Sequence, residues 1–139
     1  MKLVLDTSMA LSWLFARKKV EEIKCADRAL LTMTEVETIV PELWHTEVLN
    51  ALIVGERRKV VTEAQVIDYL TRLSNLPIIT DHSMFTNRLT SILALAREHS
   101  LSAYDATYLD LALRTNAVLA TFDAELAKAM RRAGGTVFT

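Results

Sequence analysis

Met1–Ala10 reads MKLVLDTSMA, and the interpretation of the whole chain turns on its sixth residue. Leu3-Val4-Leu5 is a short apolar run of the kind that forms a buried strand, and Asp6 ends it abruptly. A carboxylate in that place has two readings. Locally, it caps a helix expected from Met9 onward, in competition with Thr7 and Ser8. Chemically, it is held at the rim of a sheet, where reacting groups gather.

Outward from this strand, apolar runs alternate with helical periods. Glu37–Pro41 (ETIVP), Leu76–Asp81 (LPIITD), Ala117–Asp123 (AVLATFD) and Thr136–Phe138 (TVF) read as further strands. Helical patterns cover Met9–Ala16, Val20–Met33, Glu42–Arg58, Thr62–Leu73, Ser83–His99, Ser102–Thr115 and Ala124–Ala133, and Gly134-Gly135 stops the last. Short β-branched strands separated by helices predict an α/β domain with a mostly parallel sheet. Function in such a sheet gathers beyond the carboxyl ends of the strands, where Asp6, Asp81 and Asp123 all fall.

Composition narrows the classes. The 139 residues are 51% hydrophobic, with only three glycines and two prolines, so one folded domain over residues 1–139 is expected, without linker or repeat. A net charge of −1 does not mark a basic nucleic-acid-binding domain, although local patches can differ. Cys25 is the single cysteine, which excludes an internal disulfide and fits a reducing cytoplasm; at mid-helix it is expected to be buried and inert. No apolar run approaches membrane-spanning length, and Asp6 interrupts any signal-peptide core. The expectation is a soluble cytoplasmic protein.

Most of the 17 acids fall on polar stripes, among them Glu21, Glu22, Glu63, Glu98 and Asp110, and are expected to be solvated. Glu47 is different, because Leu43, Trp44, Asn50, Ala51 and Val54 share its helical stripe. A charge on a largely apolar stripe is paired, holds a metal, edges a pocket or snorkels to water. Asp105 repeats the pattern with Tyr108, Leu109 and Ala112, while also standing third after Ser102 in an imperfect capping box. Asp123 and Asp81 are each most simply helix caps, and nothing further supports Asp81. The decision comes from the set. If Asp6, Glu47, Asp105 and Asp123 face one crevice, their charges must be neutralised, and all-oxygen ligation selects Mg²⁺ or Mn²⁺. His45, His82 and His99 lack metal-ligand spacing and are expected at the surface or a helix edge.

The order of these acids, with LVLDTS, PELWHTEVLNAL, LSAYDATYLDLAL and LATFDAELAKA around them, resembles the PIN-domain family, and within it the VapC-type toxins of prokaryotic toxin–antitoxin pairs. The matching pieces run from Leu3 to Ala129. The resemblance implies a three-layer α/β/α sandwich around a mostly parallel sheet of about five short strands. It implies an endoribonuclease dependent on one or two Mg²⁺ or Mn²⁺ ions, hydrolysing RNA phosphodiester bonds with a metal-activated water. Asp6, Glu47, Asp105 and Asp123 carry over as the acidic site, Glu47 meeting the metal directly or through water. Ser8 and Thr121 carry over as hydroxyls that orient the carboxylates, or serve as caps. A small antitoxin that blocks the site, a homodimer and a cytoplasmic setting are also implied. Arg17, Arg57, Arg58, Arg131 and Arg132 are available for RNA phosphates, with a solvated surface as the default.

Two other classes compete. A haloacid-dehalogenase-type phosphatase also begins with a strand ending in Asp, but needs a second Asp where this chain has Ser8. A PIN nuclease that is not a toxin, or a domain of the same fold that binds RNA or a partner without cutting, is the remaining alternative.

Overall fold

The computed structural model describes residues 1–83 and 85–139. Four strands, β1 (Lys2–Leu5), β2 (Glu37–Pro41), β3 (Ile78–Asp81) and β4 (Val118–Ala120), form one parallel sheet in the order β3-β2-β1-β4. β1 is central, and Leu3, Val4 and Leu5 are wholly buried, which explains the uninterrupted apolar run. Val4 lies opposite Ile39 on one side and Leu119 on the other.

The connections are α1 (Thr7–Leu11) and α2 (Val20–Thr32), then α3 (Leu43–Arg57) and α4 (Glu63–Ser74), then α5 (Leu89–His99) and α6 (Ala103–Arg114), with α7 (Ala124–Arg132) after β4. The chain steps from β1 to β2 to β3 in one direction and then crosses back to β4. Right-handed crossovers therefore put α1–α4 on one face and α5 and α6 on the other, giving three layers. Contacts of α1 with α3, of α5 with α6 and of α6 with α7 follow that division.

Several elements are shorter than the sequence pattern suggests, among them the helix expected over Met9–Ala16, which is α1 at Thr7–Leu11, and the strand expected from Leu76, which begins at Ile78. The expected fifth strand, Thr136–Phe138, makes a single parallel bridge, Leu119 to Val137, beside β4. Its hydrogen bonds, Leu119 N–H to Thr136 O and Phe138 N–H to Leu119 O, extend no further. β4 stops at Ala120 because the next N–H groups turn to side chains, Phe122 N–H to Ser8 Oγ and Asp123 N–H to Thr121 Oγ1. The helix expected over Ser83–His99 splits into a 3₁₀ turn at Phe85–Asn87 and α5, with Arg88 at the N-cap position of α5. Met84, within that expected helix, lies outside the described residues.

Two solvated expectations fail. Asp110 is only 4% exposed. Residues 108–112 of α6 are all buried, so this stretch has no water-facing side, and the Asp110 carboxylate is paired instead. Arg88 grips it through Nη2 (2.5 Å) and Nε (3.1 Å), and Arg114 adds a bond at 3.3 Å. His99 is likewise buried, at the end of α5. Cys25 is buried in α2 as expected, and burial pushes its thiol pKa up. Among the described residues no helix is long and apolar enough to cross a membrane.

Removing Asp110 leaves two guanidinium groups short of a partner. Asp110→Ala should cost about 2 kcal/mol, below the full cost of breaking a buried pair because Arg88 is partly solvated. Glu125→Ala, which removes an exposed contact with Lys128, should change stability by less than about 0.5 kcal/mol. Urea denaturation of both variants checks the contrast.

Candidate functional site

The carboxyl ends of β1 and β4 meet through one buried carboxylate. Asp6 holds the N-cap position of α1, yet its side chain makes no cap hydrogen bond. It turns across the sheet and accepts at Oδ2 from Ser8 Oγ (2.6 Å) and Thr121 Oγ1 (2.6 Å). Each hydroxyl has one proton, and both are spent on Asp6, so the 3.2 Å approach of Ser8 to Thr121 adds no further bond. Both hydroxyl oxygens accept in turn from the backbone N–H groups after β4. Ser8 and Thr121 thus orient a carboxylate rather than cap a helix.

Opposing effects act on Asp6. Burial raises its pKa, the hydrogen bonds from Ser8, Thr121 and the Thr7 backbone lower it, and the Asp123 charge raises it; the net direction is upward. Asp123 caps α7 through Leu126 N–H to Oδ1 (2.9 Å), so its capping reading is correct. Capping does not remove Asp123 from the site, since its charge reaches both Asp6 and Asp105.

Glu47 lies on the turn of α3 nearest the sheet end and reaches across to α6. Its Oε1 accepts from Tyr108 OH (2.6 Å) and Thr7 Oγ1 (3.1 Å), and those two hydroxyls lie 2.8 Å apart. The apolar stripe around Glu47 therefore marks a paired carboxylate at a junction of three elements. Tyr108 is a residue that sequence reasoning missed as a site component. It read only as part of an apolar helix face, and its single signal was a phenol amid aliphatic neighbours. It is completely buried, and burial followed by the Glu47 hydrogen bond pushes its pKa far up, so it stays a donor.

Asp105 stands in the first turn of α6, its N–H bonded to Ser102 Oγ (3.1 Å), so the capping role of Ser102 is real. Its carboxyl pKa is pushed up to about 6, first by burial and then by the charges of Asp123, Asp6 and Glu47. Asp105 thus lies within the fields of the other three sequence-predicted acids. Their all-oxygen donor chemistry and uncompensated charge suit a hard divalent cation. Among the described residues, however, no three His, Cys, Asp or Glu side chains converge closely enough to grip one ion.

Asp81, the third strand-end acid considered, belongs to a different cluster. It accepts from Ser83 Oγ at 2.9 Å and from Arg114, and those bonds hold its carboxyl below the ordinary range despite the burial that opposes them. Of the candidate arginines, Arg17 bonds Glu22 (2.6 Å) and lies 4.6 Å above the Phe122 ring, next to Asp123. Arg131 and Arg28 line a groove of about 300 Å³ that also takes in Thr121 and Asp123.

Residues 3–131 match the model of the PIN domain, and the chain belongs to that family. Within it, the chain is 30% identical to ribonuclease VapC3 of Pyrobaculum aerophilum over 128 residues, 92% of this chain and 94% of that one. Two crystal structures share the fold. PAE2754 from P. aerophilum superposes with a TM-score of 0.68 at 24% identity, covering 93% of this chain and 79% of that one. FitAcB from Neisseria gonorrhoeae gives 0.65 at 16% identity, covering 99% and 96%.

The raised Asp105 pKa has a stability consequence. The folded state holds this proton more tightly than the unfolded chain, so metal-free stability falls as pH rises from about 4 to about 6. Asp105→Asn removes the penalty. After allowance for solvent screening of a partly exposed group, it should gain about 1 kcal/mol, or roughly 3 °C in Tm, at pH 7.5 in EDTA. The gain should vanish near pH 4, and thermal melts across that range check it.

Proposed function

We propose that this protein is a Mg²⁺- or Mn²⁺-dependent endoribonuclease, acting as the toxin of a VapBC-type toxin–antitoxin pair in a prokaryotic cytoplasm. The observation that carries the reading is the gathering of Asp6, Glu47 and Asp123 around Asp105 at the sheet end, where burial and their charges raise its pKa. The PIN family membership and the likeness to a protein named as a ribonuclease support it.

In this reading Asp6, Asp105 and Asp123 hold one or two ions, with Glu47 joining directly or through water. A bound divalent ion supplies water activation and charge neutralisation at the scissile phosphate. The chain's own part is to hold the carboxylates. Ser8 and Thr121 fix the plane of Asp6 by bonding the same oxygen, and Tyr108 and Thr7 fix Glu47. Rigid strands and packed helices beneath them limit the entropy lost when a cation binds. Arg28 and Arg131 offer cations to an RNA strand leaving the acids beside Asp123. A small antitoxin, a homodimer and action of residues 1–139 as one PIN unit complete the reading.

Asp6→Asn combined with Asp105→Asn should reduce Mg²⁺-dependent RNA cleavage by the purified protein to background, as should excess EDTA. Cleavage undiminished in the double variant would sink the site, and cleavage undiminished in EDTA would sink the metal. Tyr108→Phe should keep the fold and lower kcat about fivefold, through loss of one hydrogen bond worth about 1 kcal/mol. One observation favours a binding-only protein instead: no three of the described acids already surround a point. Mn²⁺ decides between them. A metal-using site should show a Tm gain that grows with Mn²⁺ concentration and disappears in the double variant, and a silent domain should show none.

A further inference from the structure

A cavity of about 570 Å³ opens at the carboxyl ends of β2 and β3, beside the acids but lined by none of the four. It adjoins them through two helices. Tyr104, on its wall, directly precedes Asp105, and Glu42 stands five residues before Glu47, about 7.5 Å along the axis. A nucleotide whose phosphate lies at the acids can therefore place its base here. The size is within the range of small-ligand pockets, which run from about 300 to 1,000 Å³.

The wall chemistry points away from an anion. Arg88 and Arg114 both line the cavity, but Asp110 and Asp81 already engage them. With Glu42 added, three acids face two arginines. A phosphate would meet a neutral-to-negative wall. What remains is an exposed carboxylate, Glu42, and two exposed aromatic rings, Tyr104 and Phe85, of which Tyr104 adjoins Asp105. The Glu42 carboxylate is 69% exposed and, among the described residues, bonds to His82 Nδ1 (2.9 Å), itself exposed. The Tyr104 ring is 65% exposed, so it offers an aromatic surface to solvent. A nucleobase combines the two needs, since it stacks on an aromatic face and is read along its edge by hydrogen bonds. Guanine fits best. Its N1–H and exocyclic N2–H donate side by side to one carboxylate, whereas adenine, cytosine and uracil do not present that adjacent pair.

We infer that this cavity is a guanine-binding subsite for the RNA substrate, with Glu42 reading the base edge and Tyr104 stacking beneath it. The inference rests on the nuclease reading and names what that site selects. Specificity thus comes from a pocket separate from the acids, built by the start of α3, by Asp81–Ser83 at the end of β3, and by α6. The Asp110–Arg88–Arg114–Asp81 network ties α6 to the end of β3 and to the start of α5, and Glu42 at the N-cap of α3 joins this wall through His82.

The probe is a nucleoside monophosphate. In EDTA, ¹⁵N-labelled protein titrated with GMP should shift the amides around Glu42, His82 and Tyr104, and bind GMP about tenfold more tightly than AMP, CMP or UMP, as one bidentate edge contact warrants. Glu42→Gln should remove the preference, and Tyr104→Ala should weaken GMP about tenfold by loss of stacking. Both side chains are exposed, so neither change threatens the fold. Equal binding of the four nucleotides, or GMP binding untouched by both substitutions, overturns the subsite. Cut sites mapped on RNA with Mn²⁺ present separate the two levels. Cleavage beside guanine supports the subsite. Cleavage indifferent to guanine overturns it and leaves the nuclease standing. Preferential GMP binding by a protein that cuts no RNA overturns the nuclease reading and with it the pocket's role toward substrate.

Discussion

The buried carboxylate of Asp6 is the constraint on which the active end of the sheet depends. A charge at 6% exposure is costly unless hydrogen-bonded, and this one is served by hydroxyls from two directions. Ser8 comes from the first turn of α1 and Thr121 from the end of β4. Because each hydroxyl also accepts a backbone N–H after β4, satisfying Asp6 sets the path of residues 121–123. That path ends β4 and sets Asp123 at the start of α7. One polar requirement thereby positions two acids and closes the central strand pair.

Helix α6 carries two opposite electrostatic arrangements. Asp105, at its first turn, is surrounded by acids and remains uncompensated. Asp110 lies about 140° around the same helix and is fully compensated by Arg88 and Arg114. Tyr108 sits between them and serves Glu47. The charge separation follows from packing: the first turn opens at the sheet end, while residues 108–112 are enclosed between the sheet, α5 and α7. A paired interior makes the helix a stiff support. The unpaired charge at its tip is affordable only because the rest is satisfied, and it leaves an attraction for a cation.

Much was legible in the chain. The run Leu3–Leu5 and the β-branched segments ETIVP and VLA announced a parallel sheet because strands covered on both faces need no alternation. Glu47 and Asp105 stood out because a charge on an apolar helical stripe needs a partner, and the structure supplies one for Glu47 and charged neighbours for Asp105. Thr136–Phe138 was harder, because a terminal segment's length as a strand depends on how long its neighbour continues, and β4 stops early.

The sequence by itself determined the alternation of strands and helices, the strand-end address of Asp6 and the order of the four acids, since these depend on local periodicity and on residue type. Only the tertiary structure decided which acids share a field. Asp81 and Asp6 both end a strand and Asp110 and Asp105 share one helix, yet arginines neutralise Asp81 and Asp110 while hydroxyls or fellow acids surround Asp6 and Asp105. Tyr108 likewise became a partner of Glu47 only when α3 and α6, 61 residues apart at that contact, met over the end of the sheet. Charge compensation acts through space at a few ångströms, and sequence separation does not record it.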